Sequence, residues 1–103
     1  MYKSELFQRI LSHVSEVTEI PSIMILSKSK SIAVVDARSI LVNILAENGV
    51  YPVQIAELID HTPASIRNLI SNFDNRRKSN RIVLIYTQKV RKRMEREWKE
   101  DVT

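Results

Sequence analysis

The chain has no cysteine among its 103 residues, which excludes a disulfide framework, a thiolate zinc site and thiol chemistry. It has one glycine and three prolines, too few for a fold rich in tight turns. No Asn-Gly or Asp-Gly pair joins two alternating apolar runs, so β-hairpins are not expected. Asn48-Gly49 instead follows a helical pattern and reads as a helix end. A single glycine cannot supply a glycine-rich nucleotide loop. No apolar run is long enough to span a bilayer and no signal peptide is visible, so the expectation is a cytoplasmic protein with no membrane partner. His13 and His61 stand apart, without acidic partners at ligand spacing, and no nucleophile–base constellation is visible. No metal, no cofactor and no enzymatic activity are therefore expected.

What the chain does have is helical periodicity. Its length fits one domain, residues 1–103, that buries about two-thirds of its unfolded surface. Leu6, Phe7, Ile10, Leu11, Val14 and Val17 recur at three and four, predicting a helix over Ser4–Val17. A helical turn is expected at Ile23–Leu26 after Pro21-Ser22. A central helix, apolar on most sides, is expected over Ile32–Asn48. A last helix over about 81–100 aligns Val83, Tyr86, Val90, Met94 and Trp98. Its Val90–Met94–Trp98 stripe packs inward or forms the seam of a homodimer. The charged run Lys89–Glu97 reads as surface pairing at three and four spacing. The fold class is all-α, a compact multi-helix domain.

The most informative stretch is residues 50–73. Ile55, Ala56 and Ile59 make an apolar stripe on a short helix that Pro52 can start. Asp60-His61-Thr62 breaks the period. Thr62 is a natural N-cap and Pro63 a natural first helical residue. Ile66, Leu69, Ile70 and Phe73 give the second helix a buried face and leave Ala64, Ser65, Arg67, Asn68 and Ser71 on the other. Two helices so joined form a helix-turn-helix over about 52–73, with a small-residue face suited to a DNA major groove. Such pairs also occur as plain packing units. Arg67 could pair with a guanine edge and Asn68 with an adenine edge, while Ser65 and Ser71 suit backbone contacts.

Net charge is +4 and unevenly spread. Residues 1–51 hold five Lys/Arg and five Asp/Glu, and residues 52–103 hold eleven and seven. That asymmetry points to a polyanionic partner. Arg76, Arg77, Lys78 and Arg81 fall in a run, Asp74–Arg81, that reads as a basic linker suited to phosphate contact. Ser27-Lys28-Ser29-Lys30-Ser31 forms a basic loop whose serines let a nucleic-acid backbone approach. Lys28, Lys30, Arg67, Arg76, Arg77, Lys78 and Arg81 together would neutralise about 4–7 phosphates.

Leu26-Ser27-Lys28-Ser29-Lys30-Ser31-Ile32-Ala33-Val34-Val35-Asp36-Ala37-Arg38 resembles the Leu-Ser-Lys-Ser-Arg-Lys-Arg-x-Val-Val-x-Ala-Arg stretch of the C-terminal DNA-binding domain of the bacterial replication initiator DnaA, in the Trp-repressor-like helix-turn-helix group. Ser39-Ile40-Leu41-Val42 continues in the style of that family's Gln-Ile-Ala-Met, and the likeness extends over about residues 7–73. It implies a stand-alone regulator of transcription or replication that binds double-stranded DNA. Lys28, Ser29 and Lys30 would be loop contacts, and Arg38 a phosphate or structural partner. The family's Arg-Asp-His-Thr-Thr signature falls in register on His61-Thr62-Pro63-Ala64-Ser65, so a different DNA sequence is expected to be preferred. The contrasting expectation is a protein–protein adaptor that keeps the fold without binding DNA.

Overall fold

The computed structural model describes the backbone of residues 3–102 and the side chains of all of these except Trp98, Glu100, Asp101 and Val102. Among the described residues there are six helices and no strand. They are α1 (Lys3–Thr18), α2 (Ser22–Ile25), α3 (Ile32–Glu47), α4 (Pro52–Ile59), α5 (Pro63–Ser79) and α6 (Arg81–Val102). The all-α multi-helix architecture is as the periodicity predicts.

Helix α3 is central because it is apolar on nearly every side. Ile40, Leu41, Val42, Ile44 and Leu45 are all fully buried, against α1, α5 and α6 in turn. Its first turn departs from that rule, since Ile32 is 76% exposed. Ser31 caps it, with its hydroxyl accepting from the Val34 N–H. At the other end Gly49 takes φ 85°, a left-handed conformation that glycine adopts without strain, and the Val50 N–H closes the end on the Leu45 carbonyl.

The expectation of a basic linker is corrected. Asp74–Ser79 is helix and not linker: α5 runs to Ser79, and only Asn80, with extended backbone, separates it from α6. The polar run stays helical because its inner side is anchored. Arg76 Nη1 donates to Asp36 Oδ1 at 2.8 Å and Asn80 Nδ2 to Asp36 Oδ2 at 3.2 Å. Of the two readings of the α6 stripe, inward packing holds for Val90 and Met94, which lie with Val83 in the molecule's own core and so supply no seam. The Trp98 side chain lies outside the described residues. Two of the α6 cations pair across helices: Arg91 with Glu47 of α3, and Arg93 with Glu16 of α1.

The turn between α4 and α5 depends on one residue in an unusual conformation. Asp60 has φ 56° and ψ 51°, and the following His61 N–H bonds back to the Ala56 carbonyl at 3.0 Å. A left-handed backbone is costly for most side chains and tolerated by Asp. Asp60→Gly is therefore expected to be neutral or to stabilise by up to about 1 kcal/mol, whereas Asp60→Val should lose about 1–2 kcal/mol. Urea unfolding of the two variants checks the order.

Candidate nucleic-acid interface

Helix α5 presents the exposed surface that its sequence pattern predicts. Ile66 and Phe73 are buried, and Leu69 and Ile70 half-buried against the core. Ala64, Arg67, Asn68, Ser71, Asn75 and Lys78 are exposed, at the three and four spacing that puts them on one face. The helix starts on Thr62, whose hydroxyl accepts from the Ser65 N–H at 3.1 Å, with Pro63 in its first turn. Thr62 thus has a capping role, and Ser65 beside it is half-buried. Ser71 donates its hydroxyl to the Arg67 carbonyl at 2.6 Å, so only its lone pairs face outward.

The loop over residues 27–31 lies beside this helix start. Lys28 Nζ donates to the Asp60 carbonyl in the α4–α5 turn, and Lys30 is exposed. The Ser29 hydroxyl accepts from the Ser31 N–H at 3.3 Å and turns the loop on itself. Arg38 determines the loop's shape. It is 5% exposed, and its guanidinium donates to three carbonyls: Ile25 at 2.9 Å, Ser29 at 3.1 Å and Ser27 at 2.5 Å. Of the two roles expected for Arg38, the structural one holds. Every one of these bonds goes to protein, and burial lowers the guanidinium's pKa without removing its charge.

The expected phosphate contacts divide in the same way. Arg76 is bound to Asp36, and Arg77 Nε lies 3.0 Å from Asp74 Oδ1 in an ion pair on its own helix. Neither is free to neutralise phosphate without giving up a carboxylate. Lys78 and Arg81 remain exposed where α5 meets α6, with Arg77 and Leu84 beside them. The cations open to a polyanion on this side are therefore Lys28, Lys30, Arg67, Lys78 and Arg81.

Two residues in this region matter more than the sequence suggested. Asp36 is 8% exposed and ties α3 to the end of α5; a carboxylate within the apolar run Val34–Ala37 was the available signal. His61 is half-buried between the loop and the turn. Its pKa is lowered from 6.5 mainly by burial, then by the nearby Lys28 and Arg38 cations, against opposing effects of the Leu26 carbonyl and Asp60. The neutral imidazole is thus the form that fits the fold. Below about pH 6.5 the unfolded chain takes up a proton that the folded state resists, so stability should fall as pH drops through that window. His61→Gln should flatten this part of the stability–pH curve, as followed by urea unfolding at pH values from about 5 to 8.

Among the described residues no helix is long and apolar enough to cross a membrane, and no group of three or more His, Cys, Asp or Glu side chains could hold a metal ion. Comparison of the chain with protein-family models finds no match, and comparison with curated proteins finds no significant one.

Proposed function

We propose that the protein binds double-stranded DNA through a helix-turn-helix made of α4 and α5, with the loop over residues 27–31 as a second point of contact. One observation carries the reading. The exposed face of α5, small at Ala64 and bearing Arg67 and Asn68, starts beside a basic loop that is fixed from below by Arg38 and from the side by the Lys28–Asp60 contact. A narrow, rigid helix face beside an ordered cationic loop can read base edges and hold backbone phosphates at once. Within this reading Arg67 and Asn68 are the base readers, and Lys28, Lys30, Lys78 and Arg81 the anchors. The resemblance to the DnaA C-terminal domain adds to it, and a regulator of transcription or replication is the role it suggests.

Binding of mixed duplex DNA at several ionic strengths tests the proposal. With Arg76 and Arg77 held by carboxylates, about 3–5 phosphates should be neutralised, and the log–log salt slope should be about −3 to −4.5. The adaptor reading is favoured by a different feature, a mostly apolar pocket that Ile20, Ile32, Ala37, Ile82 and Tyr86 line together with the polar Thr18, Asp36 and Asn80. An adaptor would bind duplex weakly or not at all at low salt.

A further inference from the structure

The densest cation cluster in the protein lies on α6 and not on α5. Val83, Thr87, Val90 and Met94 are buried and define the inner side of α6. Successive helical residues turn about 100°, so Lys89, Arg93 and Arg96 stand on the flank that meets α1, with Lys92 on the outermost line. Leu84 stands on the opposite flank and Arg81 close to the outermost line, about 16 Å before Lys92 along the helix at 1.5 Å per residue, beside Arg77 and Lys78 of α5. Lys89, Lys92, Arg93 and Arg96 line an open cleft with Glu16 and Val17 of α1. Glu16 neutralises Arg93. Among the described residues, Lys89, Lys92 and Arg96 have no ion-pair partner, and all three are exposed.

Like charges three, four and seven residues apart on one helix repel, and an anion laid along the helix relieves that repulsion. Lys89 to Arg96 spans about 10 Å at 1.5 Å per residue. A stretch of duplex backbone of that length presents more than one phosphate to the row. We infer that this α6 face binds a second DNA duplex, so that one protein molecule bridges two. The inference rests on the DNA-binding reading of α5, and the cluster's place further along α6, against α1, sets it apart from the first turn of α6, where Arg81 meets α5.

A bead-tethered duplex that captures a fluorescent duplex only through the protein provides the test. The wild-type protein should capture it. The triple variant Lys89→Gln, Lys92→Gln, Arg96→Gln should capture at least about tenfold less, while its affinity and salt slope for one free duplex change less than about twofold. Circular dichroism should show the same helix content for both proteins. Undiminished capture by the variant would place the bridging in protein–protein pairing and overturn the inference. A loss of single-duplex affinity in proportion would show α6 lying on the same duplex as α5, which also overturns it. Single-duplex binding by the wild type without capture would overturn the inference alone. Absence of any duplex binding would overturn the α5 reading with it.

Discussion

Arg38→Ala should lower the unfolding free energy by about 2–4 kcal/mol, because it leaves three carbonyls that one guanidinium now satisfies. For a domain of this size that corresponds to a fall in Tm of more than about 10 °C. Most of the loss should be local. The Ile25, Ser27 and Ser29 carbonyls belong to the end of α2 and the loop, so amide exchange should accelerate there before it does in α3. Arg38→Lys should recover less than half of the loss, since one ammonium cannot span the three acceptors as a planar fork does. In the DNA-binding reading the same variant should weaken duplex binding at least as much as removing Lys28 and Lys30, because the loop that carries them loses its support. Thermal melts and hydrogen exchange check both parts. A change below about 0.5 kcal/mol would mean that water replaces the guanidinium without cost.

Arg67→Ala and Asn68→Ala should each cost about 1–3 kcal/mol of binding to the preferred duplex and relax base preference at one position. Both side chains are exposed, so Tm should change little. Lys28→Ala with Lys30→Ala should instead weaken binding to all sequences alike. Selection of bound fragments from a random duplex pool, repeated for each variant, separates the two classes. An unchanged motif with Arg67→Ala would remove α5 as the reader. In the proposed resemblance to the DnaA C-terminal domain, His61-Thr62-Pro63-Ala64-Ser65 replaces that family's Arg-Asp-His-Thr-Thr, so the family's replication box should compete no better than scrambled duplex. Pro63 also brings no backbone N–H to the helix start.

Much of the fold was legible because its signals are local. Ile10 and Val14, Ile40 and Ile44, and Ile55 and Ile59 recur at helical spacing, and all are buried. Thr62-Pro63 and Asn48-Gly49 mark helix ends that the structure keeps. The errors arose where the deciding partner is distant in sequence. Asp74–Ser79 has no apolar periodicity of its own and stays helical with the help of Asp36, forty residues before Arg76. Arg91 and Arg93 pair with Glu47 and Glu16, and no spacing within α6 could reveal that. At the candidate interface the α5 face was readable from its period. The division of the arginines into structural and available ones was not, since Arg38, Arg67 and Arg76 differ only in what the fold brings to them.

In the proposed reading the α5 face and the basic loop form one DNA-binding surface. Titrating duplex DNA into isotope-labelled protein at low salt, and following the backbone amides by NMR, tests this most directly. Amide shifts should concentrate in Ser27–Ser31 and in Ala64, Arg67, Asn68 and Ser71, and should weaken as salt is raised. No shift at excess duplex, or shifts confined to the apolar pocket around Ile32 and Ile82, would contradict the account.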